Sequence, residues 1–285
     1  PIKQNSYRNE KYKIDNKEKR MTQNAQSKPQ QQEVVEKKQN AVVDGGLFEA
    51  DASLGLQDLQ QEDLATPRIK ILMNGSEELE ADEKLKMGQI YNNVTGEAVD
   101  GKEGIIVIPC AYQRKYAEWL PTRGKNQPPV NTYNADSDIL TKTIRNKDDN
   151  KDYLENGNYI ETNANHFVIV YDPKTGVGSP ALITMKSTQL KKSRKWNSMM
   201  LNIRVAGSKG PFNPPSFSHM YKLTVAKEDN DKGKWFGWNI ELVGPVQDKN
   251  LYEQAKLFHA SIKSGDIQAT PEQEQDSPGT TQTPF

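Results

Sequence analysis

One cysteine, Cys110, stands in 285 residues, so no disulfide framework can form within a chain. There is no run of eighteen apolar residues, and the first residues lack the apolar middle of a signal peptide. These absences predict a soluble, intracellular protein of a reducing compartment. Histidine is scarce as well: His166, His219 and His259 lie far apart with no cysteine partners near, so a zinc site of ordinary spacing cannot be drawn. No Gly-x-x-x-x-Gly-Lys-Ser/Thr loop occurs, and Gly176-Val177-Gly178 lacks the third glycine and the following helix of a dinucleotide site. The carboxylate pairs Asp148-Asp149 and Asp229-Asn230-Asp231 fall in polar loop sequence, whereas a metal nuclease needs acids fixed on rigid elements. The residues therefore predict a non-enzymatic protein with no cofactor and no metal.

Acid is missing over a long stretch. From Pro173 to Lys227 there is no Asp or Glu, while ten Lys and Arg residues occur there. Residues 51–105 carry twelve acids against five bases, and residues 228–285 carry ten against five. The net charge of zero is thus the sum of a basic stretch and acidic flanks. A solvated surface normally mixes signs, so the basic stretch points to a polyanionic partner.

Residues 1–45 are rich in Lys, Gln, Asn and Glu, with no aromatic after Tyr12. Such a segment cannot bury enough apolar surface to offset its ordering entropy. Residues 1–57 are read as a disordered N-terminal tail, 58–265 as a nucleic-acid-binding core, and 266–285 as a disordered acidic C-terminal tail. Within the core, short strands are expected at Arg68–Met73 and Gly88–Asn92. Gly104–Pro109, apolar on both faces, reads as a central strand that continues to about Trp119. Residues 121–158 read as a long polar insertion or loop, followed by one strand region over Tyr159-Ile160 and Asn165–Tyr171 and another over Ala181–Lys186.

The clearest helix is expected from about Thr188 to Val205, capped by Ser187 or Thr188 and ended by Gly207. Its apolar stripe is Trp196, Met199, Met200 and Ile203. Phe217–Val225 and Trp235–Val243 read as a hairpin, and a last helix runs from about Asp248 to Ser264, ended by Gly265. Strands outnumber helices without β-α alternation, which predicts a mainly β, α+β fold. A curled sheet or partly open barrel with peripheral helices fits best.

Candidate binding residues follow from strand and helix periods. On a strand, Tyr112, Arg114 and Tyr116 share one face. Aromatic, cation, aromatic is the pattern of a single-strand binder, with rings on bases and guanidinium on phosphate. Lys115 adjoins them. Lys186, Lys191, Lys192, Arg194, Lys195 and Arg204 offer phosphate contacts. Trp235 is expected to be exposed beside Lys234 and near Lys222. The sequence closes on Gln-Thr-Pro-Phe behind Glu272, Glu274 and Asp276.

An acidic tail ending in Pro284-Phe285 resembles the tails of bacterial and podophage single-stranded DNA-binding proteins. In those proteins the tail recruits replication partners and competes with DNA for the basic groove. The body of the chain also resembles a tailed-phage family associated with single-stranded DNA binding. That likeness rests on Ala65–Leu72, Gly88–Asn92, Ile106–Pro109 and Met185–Thr188. The resemblance implies an OB-like core and a place in the cytoplasm of an infected bacterium. It also implies a role in phage DNA replication and recombination by coating single-stranded DNA, with replication proteins as further partners through the tail. The alternative from another class is a structural or assembly protein of the virion, with a basic face and no single-strand preference.

Overall fold

The computed structural model describes residues 48–49, 51–52, 54–59, 64–122, 127–230 and 233–269. The chain divides into two units, Pro1–Gly55 and Leu56–Phe285. Every named strand and helix below belongs to the second.

The strands are β1 (Ile69–Ile71), β2 (Ile90–Asn92), β3 (Ala98–Val99), β4 (Ile105–Trp119), β5 (Asn131–Asn134), β6 (Ile144–Arg145), β7 (Asp152–Tyr153), β8 (Tyr159–Asp172), β9 (Val177–Met185), β10 (His219–Asn230) and β11 (Gly233–Pro245). The helices are α1 (Glu77–Ala81), α2 (Leu190–Asn202) and α3 (Lys249–Ser264). One sheet of eight strands runs β11-β10-β4-β8-β7-β6, with β5 on β4 and β9 on β8. The other runs β1-β2-β3.

The long strand β4 organises the molecule. Its first residues, Ile105–Val107, pair with β10, and its last ones, Lys115–Glu118, pair with β5. β8 runs beside it throughout, antiparallel, with a register shift between Pro109 and Ala111. A bulge of this kind bends a strand and raises its twist, which lets β4 belong to both sides of a curled sheet. β4, β8 and β9 form a meander, α2 follows, and the β10–β11 hairpin returns to β4. This is the partly open, five-stranded plan of an OB-like barrel.

The small sheet closes the remaining gap. The Leu182 N–H of β9 donates to Pro67 O at 2.8 Å, and the Val225 N–H of β10 donates to Gly101 O at 2.7 Å. At this seam a side chain on Gly101 would press on the Gly88 carbonyl and lie 2.7 Å from Val225 Cβ. Close backbone approach therefore requires glycine there.

Alternation along the strands separates two cores. Ile69, Ile71, Ile90, Val107, Val168, Ile183, Met185, Tyr221, Leu223, Trp238 and Ile240 face inward, and α2 adds Trp196 to them. Ile108, Cys110, Phe167, Ile169 and Leu182 face outward and are covered by Leu251, Ala255, Phe258 and Ile262 of α3. The core continues past Ser264 to Ala269, which is buried in this second cluster. Helix α3 begins as expected, with Asp248 accepting from Leu251 N at 2.8 Å, and ends at Gly265 in the left-handed region.

Three expectations need correction. Helix α2 is shorter than Thr188–Val205, because Ser187–Gln189 forms a 3-10 turn and Ile203 is already extended. Its N-cap is Gln189, without a side-chain cap bond, rather than Ser187 or Thr188. The insertion 121–158 is not plain loop among its described residues: it holds β5, β6 and β7 and a 3-10 turn at Ile139–Lys142. Glu118 of β4 anchors it through hydrogen bonds from Asn131, Tyr133, Asn156 and Asn158.

Candidate nucleic-acid interface

Beyond the bulge, β4 presents Tyr112, Arg114, Tyr116 and Glu118 on the same face, opposite His166, Ala164, Thr162 and Ile160 of β8. Arg114 is exposed and interacts with the hydroxyls of Tyr112 and Tyr116, which hold its guanidinium even further into the charged state. The two rings are not equivalent. Tyr112 is 37% exposed, whereas Tyr116 is 5% exposed and packs with Ile139, Ile160, Tyr133 and Leu154. The expectation of two stacking rings needs correction: Tyr133 of β5, Ile139 of the 3-10 turn and Leu154 cover Tyr116, so of the two rings Tyr112 stands at the surface.

Tyr112 links the strand face to the basic helix. Its ring lies 5.1 Å from the His166 ring, which stacks on Trp196 at 4.5 Å. His166 Nε2 is 2.8 Å from Ser193 Oγ. Burial pushes the His166 pKa down to about 3, so the imidazole is a neutral spacer between strand and helix at any ordinary pH. Trp196 meets Tyr221 in turn at 5.7 Å. A file of rings therefore runs from the surface at Tyr112 into the barrel.

On α2, the buried Ser193 and Trp196 fix which way the helix faces. Lys191, Arg194 and Lys195 are exposed. Lys192 instead turns to β10 and forms an ion pair with Glu228, whose other oxygen lies 3.8 Å from Lys191 Nζ. The acid-free run ends at Lys227, and the first acid after it, Glu228, folds back on the basic helix. Burial opposes the charge on Glu228, but Lys192, Trp235 and Lys191 together keep its pKa below the ordinary value.

Trp235 is half-buried, with its indole N–H donating to Glu228 at 3.0 Å. It pairs with Glu228 in the hairpin register, while Lys222 pairs with Glu241. The expected grouping of an exposed Trp235 with Lys222 does not form, because the hairpin separates the two along its length.

The remaining predicted residues lie elsewhere. Lys115 sits on the opposite face of β4, opposite Asn163, and donates to Asn134 Oδ1 at 2.6 Å. Lys186 is 3.9 Å from Glu161. Arg204 donates to Leu201 O at 2.7 Å and Ile203 O at 2.9 Å, capping the carbonyl end of α2. Pro284 and Phe285 lie outside the described residues. The structure thus sets Arg114 beside Tyr112 on β4 and joins Tyr112 through His166 to Ser193 and Trp196 of α2, the helix that exposes Lys191, Arg194 and Lys195. It does not add Lys115, Lys186 or Lys222 to them.

Nothing in the sequence marks Glu228 or Glu118 as part of a site. Glu118 is 4% exposed and accepts from Asn158 Nδ2 at 2.7 Å, Tyr133 Oη at 2.5 Å, Asn131 Nδ2 at 3.1 Å and Asn156 Nδ2 at 3.5 Å. Burial raises its pKa, but these four donors outweigh burial and hold it below the usual carboxylate value. The burial of Cys110 pushes its thiol up to about 12, so it is an inert core residue. Among the described residues no group of three His, Cys, Asp or Glu side chains could hold a metal ion.

Fold and surface together define an OB-like β-barrel protein with a cationic helix laid against its rim. The chain belongs to the family of Pam3 phage gp34-like proteins, which matches residues 36–268. It is therefore a phage-related protein. Comparison with curated proteins and with solved structures found no match. No helix among the described residues is long and apolar enough to cross a membrane.

Proposed function

We propose that this protein binds single-stranded DNA, coating it during phage DNA replication or recombination in the infected bacterial cytoplasm, and that it performs no reaction. One observation carries this reading. An exposed tyrosine and an arginine on the rim of an OB-like barrel adjoin a helix whose outward face holds Lys191, Arg194 and Lys195. Rings stack on bases without sequence preference, and cations release counterions from phosphates. The C-terminal tail, with Pro284 and Phe285, would offer replication proteins a docking peptide.

The test is fluorescence anisotropy of labelled oligo-dT with the full chain across a salt series. Four phosphate contacts, from Arg114, Lys191, Arg194 and Lys195, give a log–log salt slope of about −3. Tyr112→Ala should weaken binding by about 1–3 kcal/mol, and Arg114→Ala should flatten the slope by about 0.7. Absence of saturable binding at low salt would sink the reading and favour a virion protein with a basic face.

A further inference from the structure

Past the end of α2 the chain forms a short arm that the interface described above does not use. Val205 and Phe212 exchange two backbone hydrogen bonds, each 3.0 Å, and Gly207 and Gly210 close the turn between them at 3.2 and 3.1 Å. The arm is fastened at its base. Asn213 Nδ2 donates to Met200 O and Ile203 O, both at 3.0 Å, and the Arg204 guanidinium donates to Leu201 O and Ile203 O. Its position is therefore fixed by the helix.

What this arm displays is unusual for a surface loop. Phe212 is 48% exposed and Val205 37%. A residue pair that exchanges both hydrogen bonds places its side chains on one face, so the two form a small apolar patch. The Phe212 ring lies over Gly207, where a Cβ would come within 2.9 Å of a ring carbon. Lys209 is exposed at the tip, Arg204 is exposed at the base, and the acid-free run leaves no carboxylate anywhere in the arm. An exposed aromatic ring on an arm that carries Lys209 and Arg204 and no carboxylate fits a ligand that carries flat rings and negative charge together, which is single-stranded nucleic acid.

We propose that the arm is a second base-stacking platform. Phe212 receives a base, while Lys209 and the remaining N–H groups of Arg204 meet the flanking phosphates. The inference rests on the single-strand reading and extends it. The strand would follow α2 from the Tyr112–His166–Trp196 stack to the arm, about 9 Å along the axis from Trp196 to the helix end at Asn202.

The experiment photo-cross-links full-length protein to oligo-dT carrying 5-iodo-deoxyuridine, with Phe212→Ala, Phe212→Leu and Phe212→Trp titrated in parallel. The expected result is a cross-linked peptide spanning residues 205–213. Phe212→Ala and Phe212→Leu should weaken binding about 5- to 150-fold, with Phe212→Trp close to wild type. Phe212→Leu keeps the apolar packing and loses only the π face, so a Leu variant that binds like wild type overturns the stacking role even if Ala does not. Wild-type binding with cross-links confined to the Tyr112 region overturns this inference and leaves the single-strand reading standing. No binding by wild type removes both.

Discussion

Glu118 is a buried carboxylate with four neutral donors and no ion pair among the described residues. A charge so held is stable only because every lone pair is used, and its partners join the β4–β5 ladder in fastening residues 131–158 to β4. Glu118→Gln keeps the shape but turns one acceptor into a donor facing donors. It should cost about 1–3 kcal/mol in urea unfolding. The folded carboxyl titrates below its ordinary value of 4.5. Its stabilisation is therefore complete above that pH and is lost as pH falls through the lower folded value. Acid unfolding curves should show the wild type losing stability below pH 4.5 more steeply than Glu118→Gln. Sequence alone could not find this residue, because its four partners lie 13 to 40 positions away in a segment that reads as polar loop.

At the scale of elements, the strand periods and the stripe Trp196, Met199, Met200 and Ile203 were legible, and all four residues join the inner core. What period cannot reveal is how elements meet. Gln189, just before α2, uses its side-chain amide as a strand would: Nε2 donates to Phe236 O at 3.0 Å, and Oε1 accepts from Trp238 N at 3.1 Å. A single glutamine so ties the end of the meander to the outer edge of β11, which among the described residues pairs only with β10. It also covers part of an exposed sheet edge. Gln189→Ala leaves a buried amide unpaired and should destabilise by about 1–3 kcal/mol, with faster hydrogen exchange at the Trp238 amide as the local readout. The same limit explains the misplaced rim residues. Alternation puts Tyr112, Arg114 and Tyr116 on one face correctly, but cannot show that Tyr133, Ile139 and Leu154 of the 121–158 segment cover Tyr116.

For the whole molecule, charge polarity along the chain survives folding only in part. The basic run builds the outward face of α2 and the arm, yet Glu228 neutralises Lys192 and approaches Lys191. Under the single-strand reading, the face that binds is therefore smaller than the sequence count of ten cations suggests. Barrel closure is also a property of the whole chain. Gly101→Ala would wedge the Gly88 carbonyl away from the seam and should lower stability by about 1–3 kcal/mol, measured as a fall in melting temperature of about 2–4 °C per kcal/mol.

The small sheet joins the barrel through the Leu182–Pro67 hydrogen bond at one side and the Val225–Gly101 bond at the other. Elsewhere the ladder runs strand by strand over many residues, as in the thirteen register pairs between β4 and β8. A wall whose backbone ladder to the barrel is this short, with Ile69, Ile71 and Ile90 as its share of the inner core, behaves as a separate opening unit: residues 67–101 should exchange their amides in sub-global events while β4, β8 and β9 stay protected until complete unfolding. The barrel is, in this respect, a rigid cradle with a hinged stave.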